Sequence, residues 1–180
     1  MANEQIAILG AGCFWCIESA LNRVQGVKSA VSGYSGGHIT NPTYKDICTG
    51  TSNHAEVVKV TFDADILTFE MLLNFFFQLH DPTQLNRQGN DVGTQYRSVI
   101  FYVDEQQKLT AEQLISELEQ QRVWPEPIVT EVSPAQTFYP AEDYHQDYVN
   151  NNPQQPYCQF VVLPKLNAFL HKYSDYLKTD

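Results

Sequence analysis

The sequence predicts an α+β fold, a two-layer α/β sandwich with helices packed on one side of a sheet. Three observations predict it. Four segments carry apolar residues at i, i+3, i+4 and i+7, the spacing that lines one face of a helix. Five short runs rich in Val, Ile, Phe and Tyr read as strands. The two kinds alternate as β-α-β-β-α-β-α-β-α, in which the opening βαββαβ is a ferredoxin-like core and the last element an extra C-terminal helix.

The elements follow in chain order. A strand over 6–9 runs through Gly10-Ala11-Gly12 into a helix with Ile17, Ala20, Leu21 and Val24 on its apolar face. Strands over 30–34 and 56–62 come next, the second with Val58, Val60 and Phe62 on one face. Phe69, Leu72, Leu73 and Phe76 mark a second helix with Thr68 as its N-cap, and 98–103 a further strand. The third helix carries Ala111, Leu114, Ile115 and Leu118, with Asp104 as N-cap and Gln107 completing a capping box. A strand over 128–132 and a helix with Leu166, Phe169, Leu170 and Tyr173 end the pattern. Without repeats or low-complexity linkers, the chain reads as a single domain over 1–180.

The 180 residues carry a formal charge of −10, which argues against nucleic-acid binding or attraction to an anionic membrane. The charge is uneven. Residues 1–60 balance four basic against four acidic side chains, whereas 61–120 hold three against ten. All nine glycines precede residue 94, so tight bends and close approaches gather in the neutral front. The sequence lacks the opening of a secretory signal and any run of about 20 apolar residues, so a cytoplasmic protein is expected. In a reducing compartment, a disulfide among Cys13, Cys16, Cys48 and Cys158 would be transient and catalytic rather than structural.

Chemistry concentrates at Gly10 to Cys16. Cys13 falls at a helix N-terminus, where unpaired N–H groups and the helix dipole favour thiolate over thiol. Cys16 lies one turn on, with Cα atoms roughly 5 Å apart, within disulfide range. A core-filling cysteine and half of a zinc site are the competing readings; Cys48 and Cys158 stand alone, so no second ligand pair supports zinc. No two of the five histidines have metal-ligand spacing, and no metal is expected. Taken singly, Glu56 is a solvated strand-end carboxylate, Tyr44 and Tyr96 half-buried surface, and Phe14 and Trp15 either core or an aromatic wall beside the thiol. Two classes remain open: a redox enzyme using Cys13 with a second cysteine, and a cysteine-dependent acyl-transfer enzyme with a distant histidine base.

Longer motifs carry the reading further. GCFW at 12–15 with Glu18, GYSGG at 33–37, NPTY at 41–44, CTG at 48–50, HAEVV at 54–58, HDPTQLNRQGNDVGTQYRS at 80–98 and FYPAEDYHQDY at 138–148 closely resemble the type A peptide methionine sulfoxide reductases. The match runs in order from about residue 5 to 158.

That resemblance implies Cys13 as nucleophile, Glu56 as acid, Tyr44 and Tyr96 as donors to the sulfoxide oxygen, Phe14 and Trp15 as the methyl pocket, and Asp91 as a holder of substrate backbone. It implies reduction of the S epimer of methionine sulfoxide, protein-bound or free, through a Cys13 sulfenic acid. A second thiol then forms a disulfide that thioredoxin reduces, with no bound cofactor and a monomer as the expected state. Family members commonly place that second thiol in a glycine-rich tail, whose start Pro156-Tyr157-Cys158 matches. The residues after Cys158 contain no glycine and read as an ordered strand and helix, unsuited to a swinging tail. Other members read GCFWC, as here, so Cys16 is expected to resolve the sulfenic acid ahead of Cys158. Cys48 is expected to approach a strand, buried and structural.

Overall fold

A computed structural model describes residues 3–178. Its central sheet has six strands: β1 (Glu4–Gly10), β2 (Val27–Ser35), β3 (Ala55–Asp63), then, past a separate two-stranded hairpin of β4 (Arg87–Gln88) and β5 (Asp91–Val92), β6 (Val99–Tyr102), β7 (Glu131–Pro134) and β8 (Tyr139–Pro140). The order across the sheet is β7-β6-β1-β3-β2-β8, antiparallel except for the parallel pair β6–β7. The helices are α1 (Phe14–Leu21), α2 (Tyr44–Cys48), α3 (Phe69–Gln78), α4 (Glu105–Gln120), α5 (Tyr148–Asn151) and α6 (Leu163–Lys172).

Strand alternation decides which side chains meet the helices. Leu9 pairs with Val58 and Ala7 with Val60, and these join Phe62 and Ile100 in the main core with the apolar faces of α1, α3, α4 and α6. The opposite face is a smaller cluster of Ile8, Ala55, Val57, Val99 and Phe101, covered by Ala135 and Phe138. The alternation sends Glu56, between Ala55 and Val57, to the helical face.

All four expected helices form, and Thr68 caps α3 by accepting from Met71 N–H. At α4 the capping box is half made. Asp104 accepts from Gln107 N–H, but the Gln107 side chain bonds Val103 N–H and the Ile6 carbonyl, because its long amide reaches β1 instead. The strand expected over 128–132 shifts to Glu131–Pro134, where its carbonyls and amides meet β6 in register. The strand expected after Cys158 does not form. Cys158–Val162 is a π-helical stretch that continues into α6, with Cys158 and Val162 buried, so the segment repeats at helical spacing. Cys48 likewise ends the short helix α2 and is exposed, because its helix is anchored at the other end by the Thr43–Asp46 capping box.

Candidate active site

The turn between β1 and α1 sets the geometry. Gly12 adopts φ +79°, and a Cβ there would stand 2.8 Å from Gln88 Cβ, so glycine is required on both counts. Cys13 follows as the N-cap of α1, with extended backbone and its side chain free of any cap hydrogen bond. It is half-buried, and Cys16 is buried one turn later.

Beneath this helix end lies Glu56, 1% exposed. Its Oε1 accepts the Phe14 amide hydrogen at 3.2 Å, an anion position at a helix N-terminus. Burial nevertheless dominates: desolvation, against the Phe14 hydrogen bond and with help from Asp91, pushes Glu56 up to about 8. Cys13 is affected in the same direction. The expectation of a thiolate favoured by the helix dipole is corrected here, because burial, followed by the nearby Glu56 carboxylate, raises the thiol well above its ordinary value. Only the backbone hydrogen bond at Trp15 pulls it down.

Tyr44 and Tyr96 flank the same carboxyl group. Burial, and then Glu56, hold both phenols above the usual range, so both stay protonated donors at neutral pH. Tyr44 is placed by α2, whose first amide donates to Glu142 Oε2 at 2.9 Å while Glu142 Oε1 accepts from Tyr34. Tyr96 ends a 3₁₀ turn, Thr94–Tyr96, started by Gly93 at φ +146°.

Phe14 is fully buried and Trp15 half-buried. The Trp15 indole stacks on Tyr148 with centroids 3.8 Å apart and donates Nε1–H to His145 Nδ1 at 3.1 Å. His145 also packs against Phe14 and Tyr44 at 5.2 and 4.5 Å, so it is the centre of the aromatic wall. Asp91, in the β4–β5 hairpin, accepts a short hydrogen bond from Tyr157, whose hydroxyl also neighbours Cys13. A cleft of about 240 Å³ beside Cys13 is lined by Cys16, Asp91, Tyr157 and Lys165 among others. Cys158 does not line it and is fully buried at the start of the π-helical stretch.

Cys13, Phe14, Trp15, Tyr44, Glu56, Asp91 and Tyr96 therefore gather at one place, with Cys16 beside them and Cys158 outside the cleft. Sequence reasoning missed His145 and Tyr157 as functional neighbours. His145 lay inside a quoted motif, but its signal as a ring partner of Phe14, Trp15 and Tyr44 is tertiary. No group of His, Cys, Asp and Glu suited to a metal ion occurs among the described residues, and no helix there is long and apolar enough to cross a membrane. No hydrogen bond joins Cys13 to a histidine among the described residues, as an acyl-transfer enzyme would need.

Comparison with known proteins places the chain among named relatives. The model of the peptide methionine sulfoxide reductase family matches residues 5–177. The chain is 51% identical over 174 residues to peptide methionine sulfoxide reductase MsrA of Saccharolobus solfataricus, covering 97% of each. It is 56% identical over 161 residues to MsrA of Pasteurella multocida, covering 89% of this chain and 91% of that one. Among solved structures it resembles methionine sulfoxide reductase A of Corynebacterium diphtheriae, with a TM-score of 0.80, 36% identity and coverage of 86% and 78%. The reduced form of Mxr1 from Saccharomyces cerevisiae follows at 0.78, with 34% identity and coverage of 84% and 87%. Nothing in these relatives supports the acyl-transfer alternative. The chain belongs to the peptide methionine sulfoxide reductase family.

Proposed function

We propose that this protein reduces the S epimer of methionine sulfoxide, in damaged proteins and as the free amino acid, with Cys13 as nucleophile and Glu56 as acid. The observation that carries it is the buried Glu56 carboxyl, held against the same helix end that presents Cys13 and raised to about 8. A sulfoxide sulfur is a weak electrophile until its oxygen is protonated or strongly hydrogen-bonded. At neutral pH the protonated Glu56 and the two phenols supply that. As the substrate loses its S–O bond, the oxygen passes to the Cys13 sulfur as a sulfenic acid and methionine leaves, reduced by two electrons.

Phe14 and Trp15 receive the methyl group, and their fixed positions relative to acid and thiol select one epimer. Asp91 accepts a backbone N–H of a peptide substrate. Cys16 resolves the sulfenic acid: it shares the cleft with Cys13, whereas Cys158 is buried and does not line that cleft. Thioredoxin or another dithiol reduces the resulting disulfide by exchange, so no bound cofactor is needed. We read residues 1–180 as one monomeric, cytoplasmic domain. Its inner strands, ordered β6-β1-β3-β2, support the ferredoxin-like description.

The test is Cys13→Ser with resolved epimers of a methionine sulfoxide peptide. Loss of S-epimer reduction is expected, and appreciable turnover by that variant would reject the assignment.

A further inference from the structure

The cleft beside Cys13 contains one cation among its lining residues, Lys165, on the first turn of α6. That helix packs against α1, which carries both Cys13 and Cys16 at its N-terminal end. Cys16 is 7% exposed, and it lines the cleft together with Lys165. Lys165 also borders a neighbouring groove with His80 and Lys172.

We propose that Lys165 is a positioning residue for the resolving step, its ammonium stabilising the Cys16 thiolate as that sulfur attacks the Cys13 sulfenic acid. The inference rests on Cys16 as the resolving thiol. In the step, the Cys16 sulfur bonds to the Cys13 sulfur and the Cys13 S–O bond breaks. The oxygen departs as hydroxide and takes up the proton that Cys16 gave up, leaving as water. Cys16 is oxidised as the sulfenic sulfur is reduced, and no external electron carrier takes part.

The need for a cation follows from the surroundings of Cys16. Burial pushes its thiol up to about 11, and Lys165 opposes that rise. The other charged or titratable groups at the cleft are Cys13, Asp91 and Tyr157, none of which is a cation. His80, on the far side of Lys165, is pushed down to about 4, chiefly by burial, and is neutral at pH 7. Lys165 is therefore the positive charge that makes thiolate accessible. Each unit of pKa removed raises the thiolate fraction about tenfold while lowering its nucleophilicity by about threefold, a net gain of roughly threefold.

The experiment follows the intact protein through one turnover with one equivalent of S-methionine sulfoxide and no reductant, quenching at intervals into dimedone or an alkylating agent for mass mapping. Lys165→Met is expected to form the Cys13–Cys16 disulfide roughly three- to tenfold more slowly at pH 7, with dimedone-labelled Cys13 accumulating in its place. Lys165→Arg is expected to restore most of the rate, which a merely structural role would not require. A Cys13–Cys16 disulfide formed at the wild-type rate in Lys165→Met overturns the role of Lys165 alone. A Cys13–Cys158 disulfide in the wild type overturns the resolving role of Cys16, and the role of Lys165 with it.

Discussion

Glu56 Oε1 accepts the Phe14 amide hydrogen at 3.2 Å, so a carboxyl group on the central sheet is tied to the residue that follows Cys13, the nucleophile proposed above. This bond links β3 to the N-terminus of α1. It aligns the carboxyl group, yet it is too weak to offset the cost of burying the charge, and the proton stays on.

Glu56→Gln keeps the acceptor for Phe14 and removes the acid. The methionine-forming step should slow by about 10²–10³-fold, in line with general acid catalysis. A single-turnover measurement of methionine release checks this, and a loss below about threefold would remove Glu56 as the acid.

With Glu56 raised to about 8, its loss of a proton sets a descending limb of the methionine-forming rate above that pH. A pH series of single turnovers on wild type and Glu56→Gln checks it. The variant should lack that limb, and a shared limb would assign it to another group.

The same shift affects stability. Between the unfolded carboxyl pKa and about 8, folded Glu56 keeps a proton that the unfolded chain has lost, so stability declines as pH rises through that window. At pH 7 the cost is on the order of 3 kcal/mol. Glu56→Gln, which never ionises, should therefore show a flatter dependence of urea midpoint on pH from 5 to 8 than the wild type. Parallel curves would contradict the raised pKa.

Glu18 is 3% exposed and accepts from Ser32 Oγ at 2.6 Å and from the Asp147 amide, tying α1 to β2 and to the segment that carries His145 and Tyr148. Glu18→Ala strands the buried Ser32 hydroxyl and frees the part-buried Asp147 amide, and should cost about 2 kcal/mol by urea denaturation. A change under about 1 kcal/mol would show that the bridge is dispensable.

Tyr157→Phe removes the donor that orients Asp91. A charge-assisted hydrogen bond of this kind is worth about 1.5 kcal/mol, so KM for a sulfoxide peptide should rise about tenfold, with a smaller effect on kcat. Equal losses in kcat and kcat/KM would place Tyr157 in the chemical step instead.

Periodicity made α1, α3, α4 and α6 legible, because each buries one apolar face in the shared core. The Gly-rich turn likewise announced Cys13 at a helix end. Glu56 stood out as the proposed acid only through the resemblance, since its burial depends on β3 lying beneath α1. The helix α2 escaped notice because five residues are too short to show a period, and the exposure of Cys48 went with it. Tyr157 and Lys165 belong to a segment more than 140 residues from Cys13 in the chain, and local pattern says nothing of such a meeting. The raised thiol was hidden for a related reason: the helix dipole is visible in sequence, whereas desolvation is a property of the packed site.

The most direct test of the central claim is one turnover of wild type and Cys13→Ser with the two sulfoxide epimers kept separate, scored by methionine released per protein. The wild type should release one methionine from the S epimer and none from the R epimer, ending in a Cys13–Cys16 disulfide, and Cys13→Ser should release none. Methionine from the R epimer, or from Cys13→Ser, would contradict it.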